Sequence, residues 1–254
     1  MEDDFSVAEV VTAISDLFLP RTCLVCGRQL GTREKHLCIY CSADIPFTRY
    51  WNRERNPMSD RFNAKIQQSL EEPGTHYARR ERYAYASALF FYNGDADYKK
   101  IPQALKYNYD IHAGEFFADC LGRHLAGSRH FSDVDTVIPV PLHWLRRWER
   151  GYNQAEVIGA RLARALGASL RTDILFRARN TRTQTRLSVS EKARNVASAF
   201  KVNTLKIKGK IRHILLVDDV FTTGATLHAC FRALRCALPS DVRISIATLA
   251  VVDM

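Results

Sequence analysis

No stretch of this 254-residue chain approaches the roughly 18 consecutive apolar residues a membrane-spanning helix needs, so a helical membrane protein is excluded. Its start, MEDDFSVAEV, is acidic where a secretory signal would be basic, and the expected compartment is the cytoplasm. Internal repeats and low-complexity tracts are absent, which argues against a repeat array or a disordered chain. Acid is in deficit as well: 27 Asp and Glu against 37 Lys and Arg give a net charge of +10 and a pI near 9.4. That balance points to a polyanionic partner, either nucleic acid or a phosphorylated small molecule, without choosing between them. With 46% hydrophobic and 25% charged residues, the chain has enough apolar material for one medium domain plus an appendage.

Seven cysteines without an export signal argue against a disulfide framework, so their spacing is read as metal site or core. Cys23, Cys26, Cys38 and Cys41 form C-x2-C-x11-C-x2-C. Each CxxC turn can point two thiolates at one ion, and two turns close a tetrahedral zinc site. Gly27 follows the first pair, as a tight knuckle favours. His36 is an alternative ligand, but four sulfurs suffice. A site closed by four protein ligands leaves no position for substrate, so this zinc is expected to be structural. Cys120, Cys230 and Cys236 lie in apolar helical patterns and read as core.

Val7, Val10, Val11, Ile14, Leu17 and Phe18 recur at helical spacing, and Pro20 separates that amphipathic helix from the knuckle. Its apolar face could lie on a membrane, but the acids around it favour packing on the protein. From Arg49 to Arg82 the sequence is polar and aromatic without an evident period and holds Arg53, Arg55, Arg61, Arg79 and Arg80, so a partly helical basic connector is expected. From residue 85 strands and helices alternate: YASALFFY, VDTVIPVP, IRHILLV and DVRISIATLAVV as strands; ADYKKIPQALKY, IHAGEFFADCLGRHLAG, NQAEVIGARLARALG and ATLHACFRALRCAL as helices. Such alternation predicts an α/β fold, a parallel sheet with helices on both faces. The expected organisation is an N-terminal helix and zinc module over 1–48, a connector over 49–84 and an α/β domain over 85–254.

Within LLVDDVFTTGAT, residues 215–226, an apolar strand runs into Asp218 and Asp219, then Thr222, Thr223, Gly224, Ala225 and Thr226. A strand, a Thr/Gly turn and a helix start would aim hydroxyls, backbone N–H groups and a helix N-terminus at one point, which suits phosphate. The carboxylates would repel phosphate and must serve another part of the ligand. Vicinal hydroxyls are their natural partner, and ribose 5-phosphate carries both groups. A plainer alternative makes Thr223 a helix cap and the acids part of a turn, but it explains neither the second acid nor the glycine.

ILLVDDVFTTGAT resembles the ribose-phosphate motif of type I phosphoribosyltransferases, which bind phosphoribosyl pyrophosphate (PRPP) with Mg2+. That resemblance implies contacts from Asp218 and Asp219 to the ribose hydroxyls and a 5-phosphate wrapped by Thr222 to Thr226. CLVCG with CIYC, then ALKY, PVPLHWLRRWERGYNQAE, TQTRLSVSEKARNVASAF and LLVDDVFTTGAT, in this order, resemble the ComF/GntX family of competence-associated proteins. Many members carry a double zinc ribbon, whereas here no cysteine occurs between Cys41 and Cys120. In the family's frame Arg146, Arg147 and Arg150 fall in the pyrophosphate-loop region. Gly151, Tyr152 and Asn153 could equally form a turn and helix cap. The basic, hydroxyl-rich stretch 177–195 is expected to be a mobile loop closing over a charged ligand.

Two functions follow. One is transfer of ribose 5-phosphate from PRPP to an acceptor, for which no acceptor pocket is recognisable. The other is a PRPP-binding protein of DNA uptake, working with the uptake machinery and holding single-stranded DNA. Trp144, Trp148 and Tyr152 interleave with Arg146, Arg147 and Arg150, and Tyr50 and Trp51 lie among arginines, as stacking platforms in a basic groove would; such aromatics also serve as core.

Overall fold

The computed structural model describes residues 15–16, 19–71, 81–92, 97–107, 110–142, 147–148, 151–178 and 199–252. The expected N-terminal helix and most of the expected mobile loop fall outside them. A short helix α1 (Ile39–Ala43) follows the second cysteine pair, and α2 (Pro57–Leu70) lies inside the segment read as a connector. Strand β1 (Ala86–Tyr92) leads through a 3-10 turn at Asp97–Lys99 to α3 (Lys100–Tyr107) and α4 (Ile111–Ala126). Then come β2 (Thr136–Pro139), α5 (Gln154–Leu166), β3 (Ser169–Leu170), β4 (Leu175–Arg177) and β5 (Phe200–Val202). Strand β6 (His213–Phe221), α6 (Ala225–Arg235) and β7 (Arg243–Val252) complete the chain.

Five strands form one sheet in the order β1-β7-β6-β2-β3, every neighbouring pair parallel, while β4 and β5 make a small antiparallel pair outside it. Alternate residues of β6 feed two cores. Ile214 and Leu216 pack with Ile244 and Ile246 against α2 and α6, while Leu215 and Val217 pack with Ala247 and Leu249 against α3, α4 and α5. A strand covered on both faces must be apolar at every position, which is why residues 214–217 read as an unbroken run.

Helix α2 holds more structure than the expected connector. Asn56 and Ser59 form a reciprocal capping box and Pro57 opens the first turn. Met58, Phe62 and Ile66, four residues apart, are fully buried, and the Phe62 ring meets Phe231 of α6 edge-on at 5.9 Å. Tyr50 and Trp51 are buried as well, at 4% and 5% exposure. Of the two readings, exposed platform or core, the structure has core for both rings, and neither is an exposed stacking surface by itself. Just before them, Thr48 donates its N–H to Leu89 and Pro46 accepts the Phe91 N–H, so this segment covers the outer edge of β1.

A second correction concerns β6, which does not stop at Val217. It continues to Phe221 because β7 outruns it and offers partners, Thr248 opposite Asp218 and Val251 opposite Phe221. On its other side β2 ends at Pro139, opposite Val217. Asp218 and Asp219 therefore pass beyond the end of β2 while still in the ladder with β7.

Candidate functional site

That mismatch in length opens a crevice. From β2 the chain crosses through α5, on one face, to β3; from β6 it crosses through α6, on the other face, to β7. The connections diverge between β2 and β6, and ligands of open α/β sheets bind at such a divergence, beyond the carboxyl ends of the strands. A cavity of about 390 Å³ lies there, reached by Asp218, Asp219, Thr222 and Thr226. Thr223, Gly224 and Ala225 complete the turn between them.

Asp219 is buried and Asp218 half-buried, and one Asp218 oxygen accepts the Asp219 N–H at 2.9 Å. Behind the acids the Cys230 thiol is pushed well above its usual value by burial and by the negative charge of Asp218, so it stays protonated. Gly224 is the N-cap of α6 at φ +74°, and a Cβ there would lie 2.7 Å from the Phe221 ring. Only glycine meets both demands. The helix has no side-chain cap, its first backbone bond runs from His228 N–H to Gly224, and Thr223 Oγ1 reaches the Ala225 N–H only at 3.4 Å. Its first turn is a donor surface facing the cavity.

Helix α5 brings a second N-terminus to the same rim. Gly151 takes φ +69°, and buried Asn153 caps the helix by accepting the Ala155 N–H while its amide donates to Val140 at 3.0 Å. The turn-and-cap reading of residues 151–153 is thus what the structure has, and the cap ties the helix start to the end of β2. Tyr152 donates its hydroxyl hydrogen bond to the Leu105 carbonyl.

Of the three arginines expected near a pyrophosphate, Arg146 and Arg150 lie outside the described residues. Arg147 is exposed, pairs with Glu156 at 3.0 Å and is not among the residues lining the cavity. Trp148 beside it is 83% exposed; Trp144 is not described. Among the described residues the cation that does line the cavity is Arg177, at the end of β4, its guanidinium 5.4 Å from the Phe200 ring centre. It opens the stretch read as a mobile loop, but nothing in the local sequence distinguishes it from the arginines that follow. Tyr92, Pro102, Gln103 and Leu142 form another part of the wall, mostly apolar and drawn from three separate segments, so no local motif announces it.

The four N-terminal cysteines converge. Their sulfurs all lie within 4.8 Å of one another, with Cys26 and Cys38 at 3.7 Å. A tetrahedral site with zinc–sulfur bonds of about 2.3 Å has sulfurs about 3.8 Å apart, so the cluster fits a metal of that kind. Burial raises the Cys23 thiol, but amide N–H groups of Cys26, Cys38 and Val25 outweigh it and bring it down to about 7, whereas burial and the sulfurs of Cys26, Cys38 and Cys23 push the Cys41 thiol up. His36 stands apart, packed on Phe116 at 5.3 Å, and is not in the cluster. The module is fixed to α3 and the turn before it: Lys100 donates to Val25 at 2.6 Å and Tyr98 to Cys41 at 3.0 Å.

Residues 153–252 match the phosphoribosyl transferase domain family. Competence protein F of Haemophilus influenzae is 40% identical over 101 residues, 40% of this chain and 44% of that protein. DNA utilization protein YhgH of Escherichia coli K12 is 39% identical over 93 residues, 37% of this chain and 40% of that protein. The chain thus aligns with less than half the length of either. Competence protein ComFC of Bacillus subtilis is 28% identical over 239 residues, 91% of this chain and 84% of that protein. Fold, crevice and match together define a phosphoribosyltransferase-domain protein. The N-terminal cysteine cluster and the competence and DNA-utilization relatives narrow the class: beyond the domain match, the chain is similar to competence proteins of the ComF type.

Proposed function

We propose that the crevice between β2 and β6 binds PRPP with its Mg2+, and that the protein serves DNA uptake by holding single-stranded DNA. One observation carries the first part: two carboxylates reach a cavity bounded by the first turn of an uncapped helix. Donor groups at the start of α6, with Thr222 and Thr226, suit the 5-phosphate; Asp218 and Asp219 suit the ribose hydroxyls; Arg177 suits the pyrophosphate. Asp218→Asn with Asp219→Asn is expected to weaken PRPP binding at least tenfold while circular dichroism and Tm hold, because neither acid supports the hydrophobic core. Calorimetric titration with PRPP and Mg2+ checks it, and unchanged affinity would remove the ribose role.

The DNA part rests on the net charge of +10, on the names of the relatives and on the exposed Arg147–Trp148 pair. Turnover is a second reading, favoured by the apolar wall of Tyr92, Pro102 and Leu142, which has room for an acceptor beside the ribose site. Loss of pyrophosphate leaves an oxocarbenium-like ribose that a nucleophile captures, chemistry that depends on positioning and charge neutralisation. Pyrophosphate release across a panel of bases and amines distinguishes an enzyme from a PRPP-binding protein.

We also assign one Zn2+ to Cys23, Cys26, Cys38 and Cys41. Four sulfur ligands leave no open position, so its role is to hold the module together.

A further inference from the structure

A second cavity, about 490 Å³, lies beside the outer edge of β1 at the C-terminal end of α4 and shares no lining residue with the first. Phe47, Arg49, Trp51, Asn52, Arg123 and His124 form most of its wall, and among the described residues no carboxylate lines it. Trp51 is buried and stacks on His124 at 4.1 Å with the planes 9° apart, while Phe47 meets both rings edge-on at 6.2–6.4 Å. The outer rings are reachable: Phe47 is 37% exposed and His124 is exposed. Burial and then the neighbouring Arg123 hold the His124 imidazole below its ordinary range, so at neutral pH it is an uncharged ring. Arg49, Arg123 and the adjacent Arg53 and Arg129 are exposed, and none makes an ion pair among the described residues. Arg49 is also the one described non-glycine residue with positive φ, +55°. Such backbone is strained for a non-glycine residue and clusters at binding and catalytic sites.

We infer that this cavity is a second binding site, taking one base and the flanking phosphates of single-stranded nucleic acid. The rings supply a rigid stacking wall and the guanidiniums neutralise the backbone, the two contributions from which sequence-tolerant strand binding is built. A duplex hides its bases from such a wall, and an acidic peptide has nothing to stack on it. The inference rests on the nucleic-acid part of the proposed function and not on PRPP.

The test is fluorescence anisotropy of a labelled oligo-dT on the full-length protein, at several salt concentrations, with PRPP affinity measured in parallel. Arg49→Gln with Arg123→Gln is expected to flatten the log–log salt slope by about 1.4, roughly 0.7 for each phosphate that is no longer neutralised. Phe47→Ala with His124→Ala is expected to lower affinity about tenfold at every salt concentration, leaving the slope unchanged. Arg49→Gly guards against misfolding: it relieves the positive φ, so Tm should hold or rise while DNA binding weakens. PRPP affinity should be the same in all three. Wild-type DNA binding that none of these variants alters would overturn the site and leave the DNA reading intact. Failure of the wild type to bind any oligonucleotide would remove both. Equal competition by polyglutamate would mark the surface as a dock for an acidic protein instead.

Discussion

Gly224 shows how much one position can carry. Its φ of +74° and the 2.7 Å approach of the Phe221 ring to any Cβ mean that alanine is strained twice, in backbone and in packing. Gly224→Ala is expected to destabilise the fold by about 1–3 kcal/mol and to weaken PRPP binding further, because the turn must open to clear the ring. Chemical denaturation with calorimetry on the same variant checks both. At this scale the sequence was readable where chemistry and spacing coincide: Asp218 to Thr226 reach one edge, and the four cysteines cluster. It was unreadable where position depends on tertiary contact. Arg177 looks like its neighbours in a basic stretch, and only the pairing of β4 with β5 brings it to the cavity. Tyr50 and Trp51, set among arginines, look like surface until Tyr50 joins the core of α2 and Trp51 that of α4.

Among the elements, the long strands and helices of the α/β region were legible because a strand covered on both faces is apolar throughout and a covering helix repeats every three to four residues. Helix α2 is only partly legible in the sequence although Met58, Phe62, Ile66 and Leu70 are spaced by four, because Lys, Arg, Asn and Gln fill most of the intervals and leave an apolar stripe one residue wide. Strand β6 reads short because adjacent acids break the apolar run, although β7 keeps them in the ladder. The consequence for α2 is measurable. Phe62 is fully buried against Phe231, so Phe62→Ala should cost about 3–5 kcal/mol in urea unfolding; a loss under about 1 kcal/mol would show that α2 is dispensable.

Helix α6 carries a pH dependence. His228 is held down to about 4, first by burial and then by Arg232 and Lys65, so the native state keeps it neutral where the unfolded chain, titrating at 6.5, would take a proton. The unfolded state thus binds more protons between those values, and stability falls as pH drops from about 6.5 toward 4. His228→Gln should lessen that fall, as measured by urea midpoints across the range. For the cysteine module, stripping the proposed zinc with a chelator should raise amide exchange in residues 21–43 while β6 and β7 stay protected, since the module has few apolar residues of its own. Uniform loss of protection would mean that the metal supports the whole fold.

Across the molecule, the proposed PRPP crevice and the proposed nucleic-acid cavity lie on separate surfaces, one beyond the carboxyl ends of β2 and β6, the other along the edge of β1. Ligands at separate sites compete only through a coupling free energy, and coupling is reciprocal. The described residues show one compact sheet between the two, with both faces packed, so rigid-body coupling has no obvious hinge to act through. Saturating PRPP should therefore leave the affinity for a long oligonucleotide within about threefold, below the roughly 5- to 150-fold range of typical allosteric coupling. A nucleoside 5-monophosphate should behave differently, since its ribose and phosphate are the groups the crevice is built for, and PRPP should displace it outright. The two titrations separate three arrangements. Displacement of the mononucleotide alone is the outcome expected of two independent sites. Displacement of the long strand as well would mean that DNA enters through its 5-phosphate at Asp218 and Asp219. Displacement of neither would leave the crevice without its assigned ligand class, whatever the β1 edge binds.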